Sequence, residues 1–178
     1  MKRLQSKVAI VTASTRGIGL EIARRLCSEG ASVVISSRKA DAVQAAVDDL
    51  RKQGLVVEGT SCHVGNAADR QKLLDFTLSK FGRYCSTEFP PEETLFISLS
   101  FRVPPSLTPA IFRLDILVSN AAANPHFGPL HTPAPEAWAK IMDTNVTASL
   151  AMAQCCLPQL TASKVSSAPL PVQFVLPY

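Results

Sequence analysis

Short apolar runs alternate with longer amphipathic segments along most of the chain. The runs are too short for helices and rich in β-branched residues, which is typical of buried strands. They lie at residues 8–11, 31–36, 55–62 and 114–119. Between them, apolar positions recur at the spacing of one helix face over 18–26, 39–53 and 66–81. Strands and helices that alternate in this way predict a parallel sheet with helices packed on it.

The same spacing predicts which helical side chains are buried and where the helices end. The predicted buried positions are Ile18, Ile22 and Leu26, then Val43, Ala46, Val47 and Leu50, then Leu73, Leu74, Thr77, Leu78 and Phe81. Gly30 and Gly54 follow the first two helices and are typical helix-ending residues. Two further helices are predicted, at 133–143 and from Asn145 to an interruption near Pro158.

The composition argues against several classes of function and predicts no further structural element. The 178 residues fit one domain, and 47% hydrophobic with 18% charged residues is ordinary for a globular protein. The net charge of +4 comes without a long Lys/Arg run, which argues against nucleic-acid binding, and no segment is suited to span a bilayer. The five cysteines lack the spacing of a metal or redox site, so we expect no metal and reduced thiols.

The turn between the first strand and the first helix carries the strongest chemical signal. A Gly-rich turn at this place lets the backbone approach a pyrophosphate, whose charge the N–H groups and positive end of the helix stabilise. The turn residues are Thr12, Ala13, Ser14, Thr15, Arg16, Gly17, Ile18 and Gly19. A Gly-rich turn without any ligand is the alternative, so a dinucleotide site depends on the motifs that follow.

This turn resembles that of the short-chain dehydrogenase/reductases, in which Thr-x-x-x-x-Gly-Ile-Gly follows an N-terminal strand. Ala13 stands where the wider family has Gly. Together with Ser36-Ser37-Arg38 and Cys62-His63-Val64-Gly65, this variant is similar to a subgroup of NADP-dependent carbonyl and retinal reductases. The resemblance implies an α/β fold with an incomplete doubly wound, Rossmann-like parallel sheet of strand order 3-2-1-4.

The end of the second strand predicts the choice between NAD(H) and NADP(H). In this architecture the residues just past that strand meet the adenosine ribose, where an NAD enzyme has Asp or Glu. This chain has Ser37 and Arg38, with no carboxylate until Asp41. A guanidinium matches a 2′-phosphate in charge and geometry, and Arg16 could add a second positive group. Two solvated arginines are the alternative, but their place in the motif favours NADP(H).

The resemblance also implies roles for residues after the third and fourth strands. His63 and Val64 stand where the family has an Asp-Val pair beside the adenine, although a lone His after a strand is more often structural. Asn120, Ala121 and Ala122 match the family's turn under the nicotinamide ribose. Asn145 matches the family's Asn that holds a water in a proton relay to the catalytic Lys.

Two segments depart from the family pattern. Removal of residues 84–113 leaves a continuous family-like junction, and helix-to-strand connections are usually far shorter, so we interpret 84–113 as an insertion. A folded lid or interaction loop is the alternative. The predicted organisation is an NADP-binding half at 1–160, interrupted by this insertion, and a divergent tail at 161–178. Within the tail, 172–176 could pair with the edge of the fourth strand.

Most catalytic residues of the family are missing from these 178 residues. The family uses a Ser and a Tyr-x-x-x-Lys, in which Tyr is the general acid for the developing alkoxide. Here Glu88 stands four residues after Tyr84, and Tyr178 is the last residue. We therefore expect a member of an NADP(H)-dependent carbonyl oxidoreductase lineage that binds cofactor but is catalytically deficient.

Two alternatives and two further expectations accompany this hypothesis. The first alternative is an active carbonyl reductase with a small carbonyl substrate. The second is a non-functional splice or gene-model product. An uncovered fourth strand also predicts self-association. The start of the chain leaves no room for a signal or transit peptide, and Leu176-Pro177-Tyr178 is not a peroxisomal signal. The cytoplasm is therefore expected by default, with peroxisome or mitochondrion as the alternatives that the resemblance implies.

Overall fold

Four parallel strands form one sheet in the computed structural model, which describes residues 2–81, 114–129 and 131–162. The strands are β1 (Val8–Val11), β2 (Ser32–Ser37), β3 (Val57–Ser61) and β4 (Ile116–Val118). They pair in the order β3-β2-β1-β4, and Ile10 of β1 lies opposite Val34 of β2 and Leu117 of β4. This arrangement confirms the predicted α/β fold with the strand order 3-2-1-4.

Helices cover both faces of this sheet. They are α1 (Gly17–Ser28), α2 (Ala40–Lys52), α3 (Ala67–Phe81), α4 (Pro135–Met142) and α5 (Ala148–Ala162), and a π turn (Asp143–Thr147) joins the last two. Because successive strand residues point to opposite faces, Val11 belongs to the apolar cluster of α1 and α2, whereas Ile10 belongs to that of α3 and α5. The sheet is therefore doubly wound.

The predicted helix ends and the predicted buried faces of α2 and α3 are confirmed. Gly30 and Gly54 follow α1 and α2 with φ angles of +99° and +74°, in the left-handed region that favours glycine. The buried residues are Val43, Ala46, Val47 and Leu50 on α2, and Leu73, Leu74 and Thr77 on α3. Leu78 and Phe81 are partly buried against the same cluster as Leu73.

The predicted buried face of α1 is wrong at its first position. Ile18 is 72% exposed, and the buried residues of α1 are Gly19, Ala23 and Cys27. A Cβ at position 19 would lie 2.7 Å from the carbonyl oxygen of Ala13, so only a glycine lets the start of the helix approach the preceding turn this closely. This close contact turns the small residues of α1, rather than Ile18, toward the sheet.

The helices α4 and α5 form one continuous run through the π turn, which corrects the predicted separate helices and the predicted break at Pro158. The last helix continues beyond this proline to Ala162. A proline ring removes one backbone N–H donor from a helix. Met152, Cys156 and Leu160 are nonetheless buried on the turns around it, and their packing stabilises the helix across the lost hydrogen bond.

Several predictions concern residues that the structure does not describe. The predicted insertion at 84–113 and residues 163–178 of the predicted tail, including 172–176, lie outside the described ranges. Within those ranges, no helix is long and apolar enough to cross a membrane, and no group of His, Cys, Asp and Glu could hold a metal ion. Among the described strands, β4 pairs with β1 alone.

Candidate functional site

A cleft of about 230 Å³ lies at the carboxyl ends of the strands. It is beside β1, which has β2 on one side and β4 on the other. In open α/β sheets, ligands bind outside the carboxyl ends of the strands at such a reversal of strand order. The lining residues come from the loops after all four strands, from α4 and from the π turn: Ala13, Thr15, Arg16, Ser37, Arg38, Cys62, His63, Val64, Ala121, Ala122, Ala123, Lys140 and Thr144.

The structure brings most of the predicted site residues to this cleft, but they divide into two groups. Those that line it are Ala13, Thr15, Arg16, Ser37, Arg38, His63, Val64, Ala121 and Ala122. Those outside its lining are Thr12, Ser14, Gly17, Ile18, Gly19, Asn120 and Asn145. Several residues of the second group form hydrogen bonds that hold the loops of the cleft in place.

The β1–α1 turn presents the start of a helix beside the cleft. Ala13 has a φ of +50°, so a residue with a Cβ occupies the left-handed region where the wider family has Gly. Arg16 precedes α1 in an extended conformation and makes no side-chain cap, and the first turn of α1 has no acidic residue. The first N–H groups of α1 and the positive end of its dipole therefore have no side-chain acceptor, which suits an anionic ligand.

Asn120 joins the loop after β4 to the β1–α1 turn. Its side-chain amide donates to the carbonyl oxygens of Thr12 and Ala13, at 3.2 and 3.0 Å. In return, the hydroxyl oxygen of Thr12 accepts the backbone N–H groups of Asn120 and Ala121, at 3.0 and 3.2 Å. A side chain at Gly19 would also collide with the Asn120 amide. These contacts fix the floor of the cleft between β1 and β4.

Ser14 joins the same turn to the end of β2. Its hydroxyl donates to the carbonyl oxygen of Val11 at 2.6 Å and accepts the N–H of Ser36 at 3.2 Å. The backbone N–H of Ser14 donates to the carbonyl oxygen of Ser36 at 2.9 Å. Because Ser14 is fully buried, these bonds satisfy its polar groups and fix the turn relative to Ser37 and Arg38.

Three cations give the cleft a positive lining: Arg16, Arg38 and Lys140. No lining residue is Asp or Glu, and none of the three cations forms a salt bridge with another residue of the described ranges. Burial raises the pKa of the Cys62 thiol to about 11, so this lining residue is neutral near pH 7. Uncompensated cations beside an uncapped helix start fit a ligand that carries several negative charges.

His63 is held by the turn between β3 and α3. Its backbone N–H donates to a carboxylate oxygen of Asp69 at 2.8 Å, and its ring Nδ1 accepts the N–H of Gly65 at 3.2 Å. The carbonyl oxygen of the next residue, Val64, accepts a bond from the Arg70 guanidinium at 2.7 Å. The turn therefore has a defined shape, and both residues line the cleft.

Asn145 lies in the π turn and is bonded to the loop after β4. The N–H of Ala123 donates to its Oδ1 at 2.7 Å, and its Nδ2 donates to the carbonyl oxygen of Ala123 at 3.1 Å. Both ends of the Asn145 amide are therefore bonded to the protein backbone. One N–H of Nδ2 and one lone pair of Oδ1 remain for another partner, so a relay water has groups left to bind.

Sequence reasoning missed four lining residues: Cys62, Ala123, Lys140 and Thr144. Cys62 and Ala123 directly adjoin predicted site residues, so their positions follow once those loops are placed. Lys140 and Thr144 come from the helical run that follows β4. Their available signal was the four-residue spacing, which puts both on one helix face, and the place of Thr144 directly before Asn145.

Comparisons with known proteins show which family the chain belongs to. A family model described as short chain dehydrogenase matches residues 7–84 and 107–167. The chain is 45% identical over 157 residues to dehydrogenase/reductase SDR family member 4 of Oryctolagus cuniculus, covering 88% of this chain and 49% of that protein. The human protein of the same name is 41% identical over 157 residues, with 88% and 46% covered. Tropinone reductase-like 3 of Erythroxylum coca is 40% identical over 159 residues, with 89% and 50% covered.

Two solved structures share the fold at 27% sequence identity each. One is a 7α-hydroxysteroid dehydrogenase complexed with NADH and 7-oxo glycochenodeoxycholic acid, with a TM-score of 0.66 over 88% of this chain and 49% of that one. The other is a metagenomic short-chain oxidoreductase in complex with NADP, with a TM-score of 0.67 over 90% and 59%. The chain spans about half the length of the curated relatives it matches.

Proposed function

The chain belongs to the short chain dehydrogenase family, and from that membership we propose that it binds NADP(H) in the cleft at the carboxyl ends of its strands. We further propose that the 178-residue chain does not reduce a carbonyl by itself. A nicotinamide cofactor accords with the two structural neighbours, which are complexes with NADH and NADP. The choice of the phosphorylated form is our inference from the residues of the cleft.

The observation that carries this proposal is the charge pattern of the lining. Arg38 follows β2 at the place where an NAD enzyme has a carboxylate, and Arg16 lies in the turn before α1. Neither guanidinium has a carboxylate partner among the described residues. A 2′-phosphate would supply that partner through charge-assisted hydrogen bonds, whereas the 2′-hydroxyl of NAD(H) would leave the cations uncompensated.

The rest of the cofactor follows the shape of the cleft. The pyrophosphate would bind at the uncapped start of α1, where Ala13 and Thr15 line the cleft. His63 and Val64 would flank the adenine, and Ala121 and Ala122 would lie along the nicotinamide ribose. Asn120 would not contact the cofactor, but its side chain fixes the β1–α1 turn through bonds to Thr12 and Ala13. The bound cofactor would supply a hydride, and the protein its orientation.

We expect no turnover because the chain lacks the family's proton donor. Reduction of a carbonyl needs a general acid for the developing alkoxide, which the family provides through Tyr and Lys of a Tyr-x-x-x-Lys motif. These 178 residues contain no such motif. Asn145 is the only recognisable member of the family's catalytic set, and its amide is bonded to Ala123. We therefore propose a small carbonyl substrate for active members of the lineage, and none for this chain by itself.

Calorimetric titration of the purified chain with NADPH and with NADH tests the proposal. We expect NADPH to bind about ten- to a hundredfold more tightly, since a charge-assisted hydrogen bond contributes roughly 1.5–3 kcal/mol. Equal affinities would overturn the choice of NADP(H), and no heat with either dinucleotide at two well-separated temperatures would overturn the cofactor function itself.

Two organisational proposals accompany this function. We retain 84–113 as an insertion within an NADP-binding half at 1–160, and the family match supports this because it leaves residues 85–106 unmatched. We also retain self-association, because β4 has a strand partner on one side only among the described strands. Light scattering after size exclusion tests it, and a monomer at every concentration would contradict it.

A further inference from the structure

Lys140 is a cation of the cleft to which the motifs above give no role. We propose that Lys140 binds the 2′-phosphate end of NADP(H) together with Arg38, as a further determinant of cofactor choice. This inference rests on the proposed cofactor function of the cleft. It assigns part of the cofactor specificity to α4, which lies outside the Gly-rich turn.

The helix that carries Lys140 faces three different neighbours within one turn. Asp143 lies beside the β3–α3 loop, since its carboxylate is 3.9 Å from the place of a Cβ at Gly65, and it shares a second cavity with His63. Asn145 is bonded to Ala123 in the loop after β4. Thr144 stands between them and lines the cleft. The cleft therefore lies between these two loops, and the helix face that contains Thr144 is turned toward it.

Lys140 lies one helical turn before Thr144 on that same face, and it lines the same cleft. The same lining includes Arg38 after β2 and His63 after β3, which belong to the proposed adenosine half, as well as the alanines of the loop after β4. We assign Lys140 to the adenosine half because the 2′-phosphate adds negative charge there, and Arg38 is the other cation proposed to bind it. A long, flexible lysine stem from this turn is suited to reach the phosphate of the adenosine ribose.

Charge balance gives an independent reason for a third cation. NADP(H) carries a pyrophosphate and a 2′-phosphate, and a phosphate monoester alone bears about −1.5 to −2 charges at pH 7. Arg16 and Arg38 by themselves leave this charge undercompensated, even with the start of α1. Lys140 is exposed and has no salt bridge with any residue of the described ranges, so its charge is available.

The position of Lys140 is also set before any ligand binds. The two hydrogen bonds between Asn145 and Ala123 fix the π turn against the β4 loop, and α4 runs directly into that turn. The backbone at Lys140 is therefore held relative to Ala121 and Ala122, and only the lysine side chain has to be ordered on binding. Preorganisation of this kind lowers the entropic cost of a contact.

Binding of four ligands to the Lys140→Gln variant tests this assignment: NADPH, NADH, adenosine 2′,5′-bisphosphate and adenosine 5′-monophosphate. We expect NADPH and the bisphosphate to bind about three- to tenfold more weakly, with less than a twofold change for the other two. Lys140→Glu is expected to weaken NADPH by more than tenfold. The affinity for NADPH in Lys140→Gln is also expected to depend less on salt than that of the original chain.

Lys72→Gln is the matched control, because Lys72 is an exposed lysine of α3 that does not line the cleft. Equal weakening of NADPH and NADH in Lys140→Gln would place the lysine on the pyrophosphate and overturn the 2′-phosphate assignment. Unchanged binding of all four ligands would overturn any role of Lys140 while the cofactor function stands. Failure of the original chain to bind either dinucleotide would overturn the proposed function instead.

Discussion

Asn145 and Ala123 are joined by two hydrogen bonds, one in each direction. The N–H of Ala123 donates to Oδ1 of Asn145 at 2.7 Å, and Nδ2 of Asn145 donates back to the carbonyl oxygen of Ala123 at 3.1 Å. The pair connects the π turn to the loop after β4. The residue expected to act in a proton relay therefore also holds two walls of the cleft together.

Replacement of Asn145 by Ala is expected to destabilise the protein by about 1–3 kcal/mol, because it leaves a partly buried N–H and C=O of Ala123 without partners. Chemical denaturation of the two proteins measures this difference. Asn124→Ala is the control, since Asn124 is exposed and accepts only a 3.3 Å bond from the N–H of His126. Equal small losses in both variants would show that the Asn145 pair contributes little to stability.

Features set by local patterns could be predicted from the sequence, whereas features set by contacts between distant residues could not. The strands and the faces of α2 and α3 follow from local patterns, because β-branched runs and helical spacing act within a few residues. The rotation of α1 depends on the close contacts of Gly19, both with Ala13 in the preceding turn and with the amide of Asn120, which is far away in sequence. Local periodicity contains no information about these contacts, so it does not predict that Ile18 is exposed.

Lys140 and Thr144 escaped prediction for a related reason. Their spacing predicts a shared helix face, but which loop that face meets depends on the π turn and on the bonds of Asn145. A π turn inserts one extra residue per turn and so changes the face that later residues present. The charge motif at Arg38 needed no such knowledge, because it directly follows a strand.

Ala13→Gly is expected to stabilise the protein by about 0.5–1 kcal/mol. Ala13 has a φ of +50°, and the left-handed conformation costs a residue with a Cβ roughly 1–2 kcal/mol, more than the added flexibility of Gly in the unfolded chain. Ala45→Gly is the contrasting control, because Ala45 is an exposed position of α2 where Gly is expected to cost about 1 kcal/mol. Destabilisation by both substitutions would contradict strain at Ala13.

Arg38→Asp is expected to reverse the cofactor preference. The carboxylate would repel a 2′-phosphate and accept the ribose 2′-hydroxyl, so NADPH weakens by about tenfold or more while NADH binds as well or better. Calorimetry with both dinucleotides measures the two affinities, and Lys72→Asp controls for the change in net charge. An unchanged ratio of affinities would exclude Arg38 as the residue that selects the cofactor.

Stability is expected to fall as the pH rises above about 9, because three buried thiols resist ionisation in the folded state. Burial raises the pKa of Cys27 and Cys156 to about 12 and that of Cys62 to about 11, from an ordinary value of 9.0. Above pH 9 the unfolded chain loses these protons while the folded chain keeps them. Each thiol therefore lowers the free energy of unfolding by at most about 1.4 kcal/mol per pH unit.

Denaturation under reducing conditions at several pH values from 8 to 10 measures this slope. Cys27→Ala is expected to lower stability at all pH values, through the cavity it creates, yet to flatten the slope. A smaller pH slope reports the lost titration of the thiol, whereas a stability loss that is equal at all pH values reports its lost packing. A slope that is the same with and without Cys27 would assign the alkaline loss to other groups.

The purified 178-residue chain is expected to show no carbonyl reductase activity, even with NADPH bound. Loss of a general acid commonly costs about 10²- to 10⁴-fold in rate, and here the Ser and the Lys of the family pattern are missing as well. The effects of residues that act as one unit do not add, so the total is not a simple product. NADPH consumption with retinal, aromatic ketones and α-dicarbonyls measures the rate, with an active reductase of the family as the positive control.

A trace of activity has to be separated from a contaminating reductase before it counts against this expectation. Variants of the cleft make that separation: Arg38→Asp would lower a genuine NADPH-dependent rate through the chain's own site, whereas a contaminant would be unaffected. A substrate-dependent rate that survives repurification and falls in both Arg38→Asp and Asn145→Ala would prove the expectation wrong. It would mean that a group other than the family's Tyr donates the proton, because a bound dinucleotide and an amide committed to Ala123 cannot by themselves protonate an alkoxide.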